Sequence, residues 1–255
     1  MPDITRVVIT GATGAIGSAL AEHYAAAGTH LILQGRQPGV LAQVAQRCQA
    51  RGATTAIHAV DLTDRAALLA WCEQLETAPI PDLLIANAGM NTDTGPSRAG
   101  ETWQTQQQLL ELNVNSTLLL SNRLAAAMKA RGRGQIALIS SLAGYYGLPV
   151  TPSYSASKAA IKAYGEALRG WLAEFGVGVT VVMPGYVASP MCHAMPGPKP
   201  LLWTPQRAAR TIARGIDRNR ARVSFPFPLN FGSWWLAVLP AALSQRIVKL
   251  LGFDR

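Results

Sequence analysis

Three side chains in the middle of the chain can carry out acid–base chemistry together: Ser141, Tyr154 and Lys158. Tyr154 and Lys158 have the i, i+4 spacing that places both on one face of a helix. Lys158 can then favour the ionised form of the phenol and lower its pKa from about 10. Ser141 follows an apolar run, residues 135–139, that predicts a buried strand, and a hydroxyl at a strand end can bind a substrate oxygen. The three groups are typical of general acid–base catalysis at a carbonyl or an alcohol.

The composition limits the class of protein. The chain has 255 residues, of which 49 % are hydrophobic, and no visible internal repeat, so it fits one α/β domain or two small ones. Its formal net charge of +9 indicates either attraction to an anion, such as nucleic acid, a phosphorylated ligand or an acidic membrane, or simply a basic soluble enzyme. No nucleic-acid-binding motif accompanies the charge, so we expect no nucleic-acid partner.

The cysteines and the N-terminus indicate a reducing compartment. Cys48, Cys72 and Cys192 have no CxxC or metal-binding spacing, so we expect free thiols and no metal site. Residues 1–6 lack the basic and then apolar pattern of a signal peptide. We therefore expect a cytoplasmic protein.

A glycine-rich turn near the N-terminus predicts a dinucleotide site. Residues 6–10 form a short β-branched run, residues 18–27 predict a helix, and between them lie Gly11, Thr13, Gly14, Ala15, Ile16 and Gly17. Glycines allow the backbone to approach a pyrophosphate, and the helix N-terminus offers free N–H groups and a positive dipole. Strand, turn and helix in this order are the context that a dinucleotide fingerprint requires.

The end of the next predicted strand, residues 30–34, indicates which dinucleotide binds. Dinucleotide folds that bind the ribose 2′-hydroxyl hold an acidic residue here, whereas this chain has Arg36 and no Asp or Glu between Gln34 and Arg51. Arg36 can pair with a 2′-phosphate through two hydrogen bonds. We therefore expect NADP (NADPH) to be preferred over NAD, although an arginine after a strand is often merely solvated.

The rest of the chain alternates between strands and helices. Predicted strands occupy residues 54–60, 83–86, 135–139 and 177–183, and predicted helices occupy residues 40–50, 65–76 and 101–130 (interrupted at 113–115) as well as the segment that carries Tyr154. This order predicts one doubly wound parallel sheet with helices on both faces. Ligands bind beyond the carboxyl ends of such strands, where every motif above lies.

Taken together, these motifs resemble the classical short-chain dehydrogenase/reductase (SDR) family over about residues 6–190. The matching motifs are Thr10-Gly11…Gly17, Asp61-Leu62, Asn87-Ala88-Gly89, Asn113, Ile139-Ser140-Ser141, Tyr154…Lys158 and Pro184-Gly185…Ser189. The resemblance implies a single Rossmann-like α/β domain and an NAD(P)-dependent oxidoreductase. It also implies a homodimer or homotetramer formed through two long helices.

The resemblance also implies roles for individual residues. Tyr154 is the expected general acid in reduction, Lys158 lowers its pKa and binds the nicotinamide ribose, Ser141 orients the carbonyl, and Asn113 holds a water in a proton relay. Two further groups are expected to bind the cofactor: on the adenosine side Asp61, Leu62, Asn87, Ala88 and Gly89, and on the nicotinamide side Pro184, Gly185, Val187 and Ser189.

The sequence departs from the family pattern at two positions. The usual turn is TGxxxGxG, but here Ala15 replaces the middle glycine and Gly14 is extra, which fits the TGxxGxxG turn of sugar-nucleotide epimerases and dehydratases. Chain length and the Asn-Ala-Gly and Ser-Ser motifs favour the classical branch. The second departure is Ser189, where threonine is more usual, but the hydroxyl is retained.

The expected substrate wall is mostly apolar. It comprises Met90-Asn91, residues 142–149, Tyr186 and a flap over residues 190–204. Its apolar side chains include Tyr145, Tyr146 and Leu148 in the segment 142–149, and Met191, Met195, Leu201, Leu202 and Trp203 in the flap. Pro196, Pro198 and Pro200 predict an irregular flap rather than a helix. The wall predicts a bulky, hydrophobic small-molecule substrate; the alternative is that these side chains only pack the flap onto the body.

The C-terminal part is expected to form an apolar extension, residues 223–255, after a catalytic domain over residues 1–222. A predicted helix between Thr204 and Arg222 carries a stripe of Arg207, Arg210, Arg214 and Arg218, most simply a solvated face. Residues 223–245 contain no charge, yet several prolines interrupt them. The extension is expected to be a subunit interface or a lid, or to contact the inner face of the membrane peripherally; a transmembrane span is the least favoured alternative.

The sequence therefore predicts an NADP(H)-dependent oxidoreductase that interconverts a carbonyl and a secondary alcohol. One alternative is an epimerase, dehydratase or reductase of a sugar-nucleotide or polysaccharide pathway. Another is a non-catalytic NADP-binding protein at a membrane surface, which the complete set of Ser141, Tyr154 and Lys158 disfavours.

Overall fold

The computed structural model describes residues 4–77, 79–95, 97–195 and 197–253. Within these ranges, seven strands form one parallel sheet: β1 (Arg6–Ile9), β2 (His30–Gly35), β3 (Thr54–Ala59), β4 (Leu83–Ala86), β5 (Gly134–Ile139), β6 (Val177–Pro184) and β7 (Arg222–Phe225). Their order across the sheet is β3-β2-β1-β4-β5-β6-β7. The order reverses between β1 and β4, and this is the point at which doubly wound sheets bind ligands.

Helices cover both faces of the sheet. They are α1 (Ala15–Tyr24), α2 (Pro38–Gln49), α3 (Arg65–Thr77), α4 (Trp103–Leu110), α5 (Ser116–Arg131), α6 (Pro152–Leu172), α7 (Pro190–Ala194), α8 (Pro205–Asp217), α9 (Leu229–Val238) and α10 (Ala241–Leu250). One core packs α1, α2 and α8 against the sheet, and the other packs α3, α5 and α6. The predicted Rossmann-like, doubly wound α/β fold is confirmed.

The central strands form because their sequences are continuously apolar. Val7, Val8 and Ile9 of β1 are completely buried, and so are three of the four residues of β4. A parallel strand covered by helices on both faces requires such a run, because both of its faces must exclude water. The polar residues that end these strands are thereby fixed at one edge of the sheet.

Four elements differ from the sequence-based expectation. The long helix predicted over residues 101–130 consists of α4, a π-helical turn (Glu111–Asn115) and α5. The flap expected to be irregular begins with the short helix α7 and is non-helical at Pro198 and Pro200, while Pro196 lies outside the described residues. Helix α1 begins at Ala15, three residues before the start predicted at residue 18. Strand β7 was not predicted; it pairs with β6 and lies across the expected boundary at residue 222.

The C-terminal extension folds as the helix pair α9 and α10. Ser244 on α10 donates a hydrogen bond of 2.8 Å to the carbonyl of Leu236 on α9, which joins the two helices. In the part of the chain that the structure describes, no helix has both the length and the apolar character needed to cross a membrane. On α8, Arg207, Arg210 and Arg214 are exposed, as a solvated face requires.

Candidate active site

A cavity of about 730 Å³ lies at the carboxyl ends of the strands. Its walls include most of the residues predicted to bind a cofactor or substrate: Gly11, Thr13, Gly14, Ala15, Ile16, Arg36, Leu62, Asn87, Ala88, Gly89, Ser141, Tyr154, Lys158, Pro184, Gly185, Val187 and Ser189. Gly17, Asp61 and Asn113 were also predicted but do not line it. The fold thus brings motifs from the whole length of the chain to one cleft.

The glycine-rich turn leaves room for a phosphate group. Gly11 has a φ of +62°, a conformation that side chains disfavour. A Cβ on Gly17 would lie 2.2 Å from the carbonyl oxygen of Gly11, so only glycine lets α1 approach the turn this closely. Gly14 precedes α1, and among the described residues no side chain caps that helix, which leaves its first N–H groups for an anion. The turn therefore fits a dinucleotide pyrophosphate, with Ala15 as the first helical residue.

Asn87 holds this turn against the end of β4. Its side-chain amide donates hydrogen bonds of 3.0 and 3.1 Å to the carbonyls of Thr10 and Gly11. In return, the Thr10 hydroxyl accepts hydrogen bonds from the backbone N–H groups of Asn87 and Ala88. The Asn-Ala-Gly motif thus holds together the carboxyl ends of two neighbouring strands, β1 and β4.

Arg36 and Asp61 lie at the ends of β2 and β3. Asp61 accepts hydrogen bonds of 2.9 and 2.8 Å from the backbone and hydroxyl of Thr63. The backbone bond from Thr63 is the main cause that lowers the pKa of the Asp61 carboxyl, with a smaller contribution from the positive charge of Arg36. Arg36 is exposed where it lines the cavity, so its guanidinium is accessible to a ligand.

The predicted catalytic groups converge at the ends of β5 and α6. The Ser141 hydroxyl lies near the Tyr154 phenol and donates a hydrogen bond of 3.5 Å to the carbonyl of Pro184. The Lys158 amine lies 5.6 Å from the centre of the Tyr154 ring and donates a hydrogen bond of 3.0 Å to the carbonyl of Ile139. A phenol, a hydroxyl and an amine therefore share one corner of the cavity.

The expected effect of Lys158 on the Tyr154 pKa is not found in this structure. Burial raises the pKa of the Tyr154 phenol, and the nearby Ser141 hydroxyl only partly opposes that effect. Burial also lowers the pKa of the Lys158 amine to about 8, because a charged group loses its hydration there. The expected lowering was wrong because burial of the phenol, which disfavours its ionised form, is the largest effect on its pKa.

Asn113 lies behind the cavity wall, in the π-helical turn. Its side-chain oxygen accepts a hydrogen bond of 2.8 Å from the Met90 N–H, and its amide donates to the Met90 carbonyl and to the Ser157 hydroxyl. The side chain is buried and joins the segment after β4 to α6. It is therefore placed to fix the relative positions of these two walls.

The opposite wall of the cavity is apolar and comes from two segments. Tyr146, Leu148, Tyr186, Met191 and Met195 belong to the expected wall, and the C-terminal helices contribute Leu229, Trp235, Leu236, Leu239, Ile247, Val248, Leu251 and Phe253. The extension therefore forms part of the cavity wall. Five of the wall residues named from the sequence do not line the cavity: Asn91, Tyr145, Leu201, Leu202 and Trp203. Trp203 instead stacks on Phe225, with ring centres 4.7 Å apart.

The sequence model of the family described as short chain dehydrogenase matches residues 5–197. The chain belongs to this family. An "uncharacterized oxidoreductase" of Myxococcus xanthus is 33 % identical over 245 residues, which are 96 % of each chain. A short-chain dehydrogenase from Sphingobium yanoikuyae, solved in complex with NADPH, is 25 % identical with a TM-score of 0.82, and the match covers 96 % of this chain and 94 % of that one.

A third similar structure is a putative NAD(P)-dependent gluconate 5-dehydrogenase from Beutenbergia cavernae with bound NADP. It is 27 % identical with a TM-score of 0.77, and the match covers 86 % of this chain and 93 % of that one. The present protein is thus an NAD(P)-dependent oxidoreductase of the SDR family, and the cavity described above lies where such a fold binds its cofactor.

Two polar residues that position this SDR site were missed by sequence reasoning. Gln34 at the end of β2 accepts a hydrogen bond of 3.0 Å from the Gly11 N–H and donates one of 2.6 Å to the Val60 carbonyl. Glu101 accepts a hydrogen bond of 3.1 Å from the Ser153 N–H in the first turn of α6. A glutamine at the end of an apolar run could have indicated the positioning role of Gln34, whereas nothing in the sequence indicated that of Glu101.

The three cysteines are free, as predicted, and all three are buried. Burial raises the pKa of the Cys192 thiol, which lies in the cavity wall near Tyr154 and Tyr186. Among the described residues, no group of three or more His, Cys, Asp or Glu side chains is arranged to hold a metal ion.

Proposed function

We propose that this SDR protein is an NADP(H)-dependent enzyme that interconverts a carbonyl and a secondary alcohol on a bulky, hydrophobic substrate. The observation that carries the proposal is that Ser141 and Tyr154 lie near each other in the wall of a cavity that is otherwise largely apolar. The polar pair can bind a single oxygen atom, while the apolar wall can bury the rest of a large molecule.

Each catalytic side chain has a role that its surroundings support. The bound nicotinamide would supply or accept the hydride. The raised pKa of Tyr154 keeps its phenol protonated near neutral pH, so the phenol can donate a proton to a carbonyl oxygen during reduction. Ser141 orients that oxygen through its hydroxyl, and Lys158 binds the nicotinamide ribose. Asn113 fixes α6 against the segment after β4, in addition to the water-holding role that the family resemblance implies.

The preference for NADP over NAD rests on Arg36. Its exposed guanidinium at the cavity edge can pair with a 2′-phosphate, and Asp61, the nearest predicted carboxylate, is already bonded to Thr63. The relatives with bound NADPH or NADP are consistent with this preference.

The apolar wall also distinguishes an oxidoreductase from a sugar-nucleotide epimerase or dehydratase. A sugar nucleotide needs many hydrogen-bonding partners for its hydroxyls, whereas the lid and flap offer mainly methionine, leucine and aromatic side chains. We therefore favour an oxidoreductase over an epimerase or dehydratase, with residues 223–255 acting as the lid of the catalytic domain. Cofactor that stays bound through purification, without net consumption of NADPH, would support the epimerase instead.

The long helices supply candidate surfaces for a homodimer or homotetramer. Trp103 at the start of α4 is 68 % exposed, and Trp171 near the end of α6 is 48 % exposed. Exposed large aromatic side chains on helices are typical of subunit interfaces. Sedimentation velocity of the purified protein tests this assembly, and a monomer at micromolar concentration would exclude it.

The decisive experiment compares two tyrosines on the same helix. Tyr154→Phe removes the proposed proton donor, so NADPH oxidation with a panel of bulky ketones should be abolished while NADPH binding, measured by fluorescence titration, is retained. Tyr164→Phe is the matched control, because the buried Tyr164 hydroxyl has no hydrogen-bond partner among the described residues. Turnover retained in Tyr154→Phe would refute the proposed role.

A further inference from the structure

The lid leaves much of its apolar surface uncovered. Helix α9 carries no charge and has no buried residue. We define the lid face as the exposed side chains of Phe231, Trp234 and Trp235 together with Leu243, Leu250 and Leu251. The three aromatic rings pack on one another, with centres 5.4 to 6.0 Å apart. A patch of this kind on a soluble protein marks a binding surface.

The charges beside the lid face indicate which partner covers it. Arg246 and Lys249 are exposed on α10, and residues 223–253 contain no Asp or Glu. A twofold dimer would pair this surface with itself, so Arg246 and Lys249 would face a copy of the same surface, in which none of the described residues of the extension supplies a carboxylate. An anionic lipid surface, in contrast, offers both an apolar layer for the rings and phosphates for the cations.

The cavity reaches this surface directly. Trp235 is 43 % exposed and Leu251 is 57 % exposed, yet both also line the cavity. Each of these two side chains therefore contributes both to the cavity wall and to the solvent-exposed surface of the lid. A molecule held in lipid against the lid face would lie at the mouth of the active site.

We propose that the lid face docks on an anionic lipid surface and that an apolar carbonyl or alcohol enters the cavity from the lipid between Trp235 and Leu251. Tryptophan and phenylalanine rings would lie at the depth of the headgroups, with Arg246 and Lys249 beside the phosphates. The docking is independent of the reaction, whereas the entry route rests on the proposed function.

Flotation with vesicles tests the docking. The full chain should float with vesicles of equal parts phosphatidylcholine and phosphatidylglycerol, and much less with phosphatidylcholine alone. Phe231→Ser combined with Trp234→Ser should reduce partitioning at least about tenfold, and neither residue lines the cavity. Arg246→Gln with Lys249→Gln should also reduce it about tenfold or more on anionic vesicles, because each cation near the surface contributes about fivefold.

Matched controls remove the same chemical groups elsewhere. Trp103→Ser removes an exposed aromatic outside the lid, and Arg210→Gln with Arg214→Gln removes two exposed charges from α8. Both controls should float like the wild type. Wild-type protein that fails to float, or lid variants that float unchanged, would overturn the docking. Sedimentation without lipid distinguishes docking from a subunit interface. If the wild type is a dimer and the Phe231→Ser/Trp234→Ser protein is a monomer, the lid face is a subunit interface and the docking proposal is overturned.

The entry route is tested with a long-chain ketone as the probe. With the ketone dissolved in anionic vesicles, the Phe231→Ser/Trp234→Ser protein should oxidise NADPH at least about fivefold more slowly than the wild type, since its partitioning is lower. With the same ketone carried by cyclodextrin, the two rates should converge. Equal rates in vesicles would refute entry from lipid. Absence of turnover with either carrier would count against the proposed function for this substrate class, and the flotation result would stand separately.

Discussion

The hydroxyl of Ser140 donates a hydrogen bond of 2.7 Å to the backbone carbonyl of Lys158. The bond is buried and joins the end of β5 to α6, and the Lys158 amine bonds back to the carbonyl of Ile139. Ser141 follows Ser140 directly, and Tyr154 lies one turn before Lys158. The distance between the two groups that would bind the substrate oxygen therefore depends on this link between strand and helix.

Ser140→Ala should weaken catalysis without weakening cofactor binding. Loss of one buried hydrogen bond should lower the free energy of unfolding by about 1 kcal/mol. Because a small displacement of a catalytic group is costly, kcat should fall about ten- to a hundredfold, while the dissociation constant for NADPH stays nearly unchanged. Steady-state kinetics and fluorescence titration measure the two effects.

Ser121→Ala is the control for that variant. Ser121 is completely buried on α5, and among the described residues its hydroxyl has no hydrogen-bond partner. Its removal should leave kcat unchanged. An equal loss of kcat in both variants would mean that the effect is general destabilisation, and an unchanged kcat in Ser140→Ala would show that the link is dispensable.

The lowered pKa of Lys158 predicts how stability depends on pH in the cofactor-free protein. Burial lowers this pKa to about 8, below its value in an unfolded chain. Below pH 8 the amine is protonated in both states, whereas above pH 8 the unfolded chain holds a proton that the folded protein has released. The free energy of unfolding should therefore rise with pH from about 8, by at most about 1.4 kcal/mol per pH unit.

Other buried groups limit the pH range in which this rise is visible. The pKa values of Cys48 and Cys72 are raised to about 11 by burial, so above pH 9 the unfolded chain loses protons that the folded protein keeps. Their contribution makes stability fall with pH and opposes that of Lys158. Urea denaturation of the wild type and Lys158→Met between pH 7 and pH 9, about one unit on each side of the Lys158 pKa, isolates the effect. Parallel pH profiles of the two proteins would contradict the prediction.

The sequence predicted the cleft because parallel topology determines it. Gly11, Asn87 and Ser141 are far apart in the chain, but each follows an apolar strand, and the carboxyl ends of parallel strands lie along one edge of a sheet. Recognition of the strands was therefore enough to bring the cofactor and catalytic motifs together. The i, i+4 spacing similarly placed Tyr154 and Lys158 on one helical face.

The parts that sequence reasoning missed depend on tertiary contacts. Strand β7 has four residues inside a long uncharged run, and only its pairing with β6 distinguishes it from the segments that follow. The sequence left a subunit interface, a lid and a membrane contact open for the extension, because the position of α9 and α10 depends on packing against distant segments, which periodicity does not encode. The Tyr154 pKa was misjudged because the burial that raises it arises from tertiary packing.

Arg36→Ala should change the cofactor preference more than the catalytic rate. Without the guanidinium a 2′-phosphate loses a charge-assisted pairing of about 1.5–3 kcal/mol, so KM for NADPH should rise about ten- to a hundredfold while KM for NADH changes little. Arg214→Ala, an equally exposed arginine on α8, should leave both values unchanged. A parallel rise in both KM values for Arg36→Ala would indicate that the residue only supports the fold.

Gly17→Ala should damage the cofactor site by forcing α1 away from the turn. The new Cβ would lie 2.2 Å from the Gly11 carbonyl oxygen and 2.8 Å from the Asn87 amide nitrogen, and the first of these is backbone that cannot rotate away. Overpacking of this kind lowers the free energy of unfolding by about 1–3 kcal/mol. The displaced helix N-terminus should also weaken NADPH binding.

The matched substitution for Gly17→Ala is Gly170→Ala on α6. A Cβ at Gly170 meets nothing within 4 Å, and alanine favours a helix over glycine by about 0.5–1 kcal/mol, so this variant should be slightly more stable than the wild type. Thermal unfolding and NADPH titration of both variants separate the two mechanisms. If Gly17→Ala bound NADPH with wild-type affinity, the close approach of α1 to the turn would not be what shapes the pyrophosphate site, and Ala15 at the helix start would become the residue to test next.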